Sequence, residues 1–202
     1  MEMMLPILPR VCIFVFFILI NNKTMRKLLN SELNRPDTEL YKQMTKLPCV
    51  VVLDNVRSQH NIGSVFRTSD AFRMEAVYLC GITATPPHRE IHKTALGATE
   101  SVDWKYFEDT LHALKMLKAE GYKIYAIEQT TDSIALRDFK PGKGEKIALV
   151  FGHEVHGVSQ QVVDACHGCI EIEQYGTKHS LNVSVCAGIV IWEIFRKYDN
   201  IS

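Results

Sequence analysis

The chain has 202 residues, 47% hydrophobic and 23% charged. That is enough for one domain with a full core, and it excludes a disordered or fibrous composition. Lysine plus arginine equals aspartate plus glutamate at 23 each, so bulk charge marks no nucleic-acid partner, and any such contact must come from local patches.

In chain order, the first feature is Val11 to Ile20, VCIFVFFILI, an unbroken apolar run. It falls short of the ~20 residues a spanning helix needs, and its basic residues follow the apolar run more than they precede it, unlike a signal peptide. MRKLLNSEL from Met25 reads as the natural start of a soluble protein. Residues 1–24 are therefore expected to be an apolar extension, a start-site artefact or disordered, with a short membrane anchor as the rival reading. Residues 25–47 have room for one short helical segment, and residues 48–198 form the main domain.

CVVVLDN (49–55) is a β-branched run expected as a buried strand. NIGSVFRTSDAFR (61–73) carries apolar residues at helical spacing, with Asn61 placed to cap it. AVYLCG (76–81) is the next strand, residues 89–98 read as loop and short helix, and VDWKYF (102–107) alternates like a strand. Asp109 is placed to cap TLHALKMLKAEG, which Gly121 ends. Strands follow at 122–129, 146–152 and 169–174, with a helix near 159–165 and a long final helix from about Ser180 to Lys197. Strands alternating with helices predict an α/β fold with a mostly parallel sheet and helices on both faces. A P-loop and a G-x-G-x-x-G turn after the first strand are both missing, which argues against those nucleotide folds.

Three of the six cysteines, Cys49, Cys80 and Cys186, lie in apolar runs, where cysteine acts as a small hydrophobe suited to a reducing compartment. Cys166 and Cys169 form one C-x-x-C with no second pair for zinc. His153 and His156 are three apart beside glycines, not four apart as in a metalloprotease helix. No metal is expected.

Three polar clusters stand at predicted strand ends, where open α/β sheets collect ligands. They are NVRSQHNIGSVFRTSDAF from Asn55, FGHEVHGVS from Phe151, and YGTKHSLNVSVCAG from Tyr175. Each has a plain reading: a capped amphipathic helix with a solvated arginine, a glycine turn, and a loop with Ser180 as N-cap of a core helix. The final helix is apolar on nearly every side, so it must be buried on nearly every side.

Taken in order, NIGSVFRTSDAF, FGHEVHG and IEIEQYGTKHSLNVSVCAGIVIWE resemble the three signature motifs of the SpoU (TrmH-like) RNA 2′-O-ribose methyltransferases of the SPOUT superfamily. The likeness runs from about Pro48 to Lys197. It implies a C-terminal trefoil knot, S-adenosyl-L-methionine as cofactor, a tRNA or rRNA substrate, a homodimer through the knot region, and a cytoplasmic protein that binds neither DNA nor, residues 1–24 aside, membrane. By the same resemblance Asn61, Arg67, Glu154, Ser180 and Asn182 match catalytic positions. Gly152, Gly157, Ile172, Gly176 and Leu181 match or flank the cofactor site. Arg57, His60, Arg73, Arg89, Lys93 and Lys178 are candidates for RNA contact, with His88 as an adaptable donor. The alternative is an RNA-binding accessory protein that holds the cofactor without catalysis.

Overall fold

The computed structural model describes residues 25–199, so the expectations for residues 1–24 lie outside it. The chain divides into two compact units with the boundary between Arg35 and Pro36. Before the boundary, the Arg26 guanidinium forks onto the Glu32 carboxylate at 2.7 and 2.9 Å across a 3₁₀ turn, Asn30–Glu32.

After it, helix α1 (Thr38–Gln43) is capped by Asp37, whose carboxylate accepts the Leu40 N–H at 2.8 Å. Strand β1 (Leu47–Asp54) leads into α2 (Gln59–Ala71), β2 (Met74–Cys80), α3 (Arg89–Ala95), α4 (Ala98–Ser101) and β3 (Asp103–Phe107). Helix α5 (Thr110–Ala119), β4 (Lys123–Ile127), β5 (Ile134–Ala135), β6 (Ile147–Phe151), α6 (Gln160–Ala165), β7 (Gly168–Glu171) and α7 (Val183–Asp199) complete the chain. The sheet runs β3-β2-β1-β6-β4-β7-β5, and every pairing is parallel.

Composition explains the order of burial. β1 is buried from Cys49 to Asp54 and β6 is buried throughout, as central parallel strands covered on both faces must be. Alternate residues of β1 serve opposite cores. Cys49, Val51 and Leu53 join one core with residues of α2, α3 and α7, while Val50 and Val52 join the other with residues of α5 and α6. Helices therefore lie on both faces, as the alternating pattern predicted.

Helix α2 crosses α3 closely at Gly63. A Cβ there would stand 2.1 Å from Thr94 Oγ1 and 2.3 Å from the Ile91 carbonyl oxygen. Gly63→Ala should lower unfolding stability by about 1–3 kcal/mol through overpacking, read as a shifted denaturation midpoint. An unchanged midpoint would refute the close crossing.

Two predicted caps moved. Helix α2 starts two residues before Asn61, and Ser58 is its N-cap, accepting the Asn61 N–H at 3.4 Å. Helix α7 starts at Val183 rather than near Ser180, and Asn182 caps it, its side-chain oxygen accepting the Ser184 N–H at 2.9 Å. The short strand β5 was not anticipated. Among the described residues no helix is long and apolar enough to cross a membrane.

Candidate functional site

A cavity of about 410 Å³ opens at the carboxyl ends of β4, β6 and β7, where parallel sheets place their ligands. Ile127, Phe151, Ile172, Leu181 and Val183 give it apolar walls. Gly152 and Gly157 line it as bare backbone. The chain folds back between them: His153 and Gly157 form an antiparallel bridge, exchanging N–H···O bonds of 3.0 and 2.8 Å. A Cβ on Gly152 would lie 2.2–2.3 Å from the backbone of Gly157 and Val158, and Gly157 has φ +65°. Only glycine permits this close pair.

Glu154 projects from that turn and joins the three polar clusters. Its two carboxylate oxygens accept the backbone N–H groups of Arg57 at 3.0 Å and Ser58 at 2.9 Å. The Asn61 amide donates to it at 3.2 Å. The Asn61 oxygen in turn accepts from the Asn182 amide at 3.2 Å and the Ser184 hydroxyl at 3.4 Å. A continuous hydrogen-bonded path thus links the loop after β1, the turn after β6 and the start of α7.

Burial pushes the Glu154 carboxyl up, but the hydrogen bonds from Arg57, Ser58 and Asn61 outweigh it and hold the group below the ordinary carboxylate range. A depressed folded value means the stabilisation is complete above the unfolded value and lost as pH falls through the folded one. The amide resonances of Arg57 and Ser58 should therefore move on acidification with a midpoint below about pH 4.3, the ordinary glutamate value. Movement centred at or above that pH would contradict the arrangement.

The remaining candidates are distributed unevenly. Ser180 lines the cavity but does not cap α7. Arg67 is exposed on α2, and its guanidinium has no hydrogen bond or ion pair with the described residues. Gly176 is exposed and a Cβ there would touch nothing within 4 Å. His60, Arg89 and Lys93 gather around Glu90, at 2.9, 4.0 and 2.7 Å. His88 caps α3, its Nδ1 accepting the Glu90 N–H at 3.2 Å. Arg57 and Lys178 are exposed. Arg73 lies at the opposite end of the sheet, its carbonyl accepting the N–H of Leu47, where β1 begins.

His153 Nδ1 accepts the Val155 N–H at 2.9 Å. Burial pushes the Cys166 and Cys186 thiols up to about 12, so neither is a ready nucleophile at neutral pH. Sequence reasoning passed over Ser184 and Glu128. Ser184 signals itself only as a second hydroxyl in S-L-N-V-S. Glu128 sits next to the end of the strand predicted at 122–129 and looks like an ordinary solvated strand end.

Comparisons with known proteins bear on the family and the fold. The chain is 32% identical over 164 residues to the 23S rRNA (guanosine-2′-O-)-methyltransferase RlmB of Nitrosomonas europaea, covering 79% of this chain and 60% of that one. It is 30% identical over 156 residues to a putative TrmH family tRNA/rRNA methyltransferase of Staphylococcus saprophyticus, covering 77% and 61%. The chain thus spans about three fifths of the length of these curated relatives. The crystal structure of the A. aeolicus TrmH/SpoU tRNA modifying enzyme superposes with a TM-score of 0.70 at 27% identity, covering 81% of each chain. With residues 48–192 matching the model of the SpoU rRNA Methylase family, the chain belongs to that family.

Proposed function

We propose that this protein transfers a methyl group from S-adenosyl-L-methionine to a ribose 2′-hydroxyl of tRNA or rRNA. The observation that carries the reading is the joining of the strand-end cavity to the Asn61–Asn182–Ser184 network through Glu154. The cavity fits the cofactor: it has apolar walls for a flat adenine, glycine backbone for close approach, and a volume in the small-ligand range of about 300–1,000 Å³. S-adenosyl-L-methionine supplies an electrophilic methyl group.

The residues must then supply an oriented, activated hydroxyl. Asn61, Asn182 and Ser184 offer both donors and acceptors with which to hold the ribose in line. Glu154 fixes that set by pinning the loop of Arg57 and Ser58. Arg67 is a poor base, because a guanidinium holds its proton. It serves instead to grip the phosphate beside the target ribose and to stabilise the developing alkoxide. His60, Arg89, Lys93, Arg57 and Lys178 provide the local charge toward RNA, and Arg73 would meet only a distant part of it. DNA lacks the reacting hydroxyl.

Val185, Ile189 and Trp192 are 51%, 40% and 48% exposed along one stripe of α7, and Phe72 packs against Trp192 at 5.4 Å between ring centroids. This stripe supports a homodimer. Sedimentation should give a dimer, and Ile189→Asp should give monomer with an unchanged far-UV spectrum; a monomeric parent protein would defeat that part. The insertion of β6 between β1 and β4, and of β7 between β4 and β5, supports a knotted crossover. Buried thiols support a reducing, cytoplasmic setting.

The test of the activity is methyl transfer from labelled cofactor to unmodified tRNA and rRNA pools. Label that makes the modified linkage stable to alkali supports the proposal and names the substrate class. Cofactor binding without label in either pool would favour an accessory protein instead.

A further inference from the structure

Among the described residues the cavity at the ends of β4, β6 and β7 is lined by three carboxylates, Glu128, Glu154 and Glu171, and by no lysine or arginine, with His153, His156 and His179 as its basic side chains. Glu154 is committed to Arg57, Ser58 and Asn61. Glu128 is differently placed. It follows the last residue of β4, and each of its oxygens accepts one backbone N–H, from Gln129 at 3.0 Å and from Val158 at 2.9 Å. Those bonds fix the carboxylate against the Gly157 turn, where a glycine Cβ would stand 2.1 Å from Glu128 Oε2. Each oxygen keeps a further lone pair. Cys186 lines the same cavity, and the negative charge of Glu128 adds to the upward push that burial gives its thiol.

A held anion on a wall that has no lysine or arginine among the described residues prefers a positively charged ligand. Resting on the activity proposed above, we infer that Glu128 makes this cavity discriminate the methyl donor from its own product by charge. S-adenosyl-L-methionine carries an ammonium, a carboxylate and a sulfonium, for a net positive charge. In the transfer the ribose oxygen bonds the methyl carbon, the S–CH₃ pair returns to sulfur, and the hydroxyl proton passes to solvent water. The product, S-adenosylhomocysteine, is a neutral thioether with no net charge. The attraction therefore ends with the reaction, so that Glu128 favours binding of donor and departure of product. In this role Glu128 determines specificity and does not touch the ribose. Its mechanical role, tethering the Gly157 turn, would affect both ligands alike, and that difference separates the two.

The experiment is calorimetric binding to the full chain of S-adenosyl-L-methionine, S-adenosylhomocysteine and sinefungin, whose amine replaces the sulfonium methyl with a non-transferable cation. Glu128→Gln should weaken the two cationic ligands by about tenfold and the neutral product by less than about twofold. In the unaltered protein, raising salt should narrow the preference for the cationic ligands over the product; this second measurement does not depend on how the variant folds. Equal losses for all three ligands, or a salt-independent ratio, would reduce Glu128 to a tether and overturn the inference, while leaving the proposed activity intact. Failure of all three to bind the unaltered protein would overturn both.

Discussion

Arg67→Ala should abolish most methyl transfer and leave the fold untouched. The prediction rests on what the guanidinium does not do. Arg67 is exposed on α2 and makes no hydrogen bond or ion pair with the described residues. An exposed side chain without partners contributes little to stability, so the variant should unfold within about 0.5 kcal/mol of its parent. Removing a donor aimed at charge that develops in the transition state costs about 10²–10³ in turnover. Cofactor affinity should hold, because Arg67 is not among the residues lining the cavity. Arg67→Lys keeps the charge but loses the planar fork, so it should recover only part of the rate. The decisive measurement is single-turnover transfer beside calorimetric cofactor binding and a denaturation curve. Near-normal turnover in Arg67→Ala would remove Arg67 from the mechanism. Near-normal turnover in Arg67→Lys would show that fork geometry is irrelevant.

The same helix shows what the sequence could and could not convey. Buried strands announce themselves: β1 and β6 are continuous apolar runs because both faces are covered. Helix starts are less legible. Ser58 and Asn61 are both good caps, and the first residues of α2, Gln59 and His60, have no apolar period to betray that the helix has begun. The consequence is functional. With Ser58 taking the cap, the Asn61 side chain is free to bridge Glu154 and Asn182. The pair Ser180 and Asn182 poses the same ambiguity at α7, and there the later residue caps. Strand β5 has two residues, too few for any periodicity, and it registers only through its pairing with β7. The side-by-side order of strands is likewise a tertiary fact, as is the placement of Glu128 beneath the Gly157 turn. Composition at strand ends shows which segments carry polar groups, not which groups meet.

The turn after β6 yields the second large effect. Gly152→Ala should cripple cofactor binding and lower stability, although it adds one methyl group. The atoms that methyl would meet are the carbonyl carbon and oxygen of Gly157 and the amide nitrogen of Val158, all at 2.2–2.3 Å. They are backbone, so no side chain can rotate aside. The only relief is to spread the His153–Gly157 bridge, which breaks two hydrogen bonds and moves Glu154 away from Arg57, Ser58 and Asn61. Overpacking of this kind costs about 1–3 kcal/mol, and displacement of the turn should cost cofactor affinity about tenfold or more, since the turn forms one wall of the cavity. Gly176 is the internal control. It is exposed, its φ is not in the left-handed region, and a Cβ there has open space, so Gly176→Ala should leave the denaturation midpoint where it was. If Gly152→Ala binds cofactor as its parent does, the close approach of the two backbone segments is not what shapes the site. If both alanine variants lose binding while only Gly152→Ala loses stability, Gly176 acts on the ligand directly rather than through the fold.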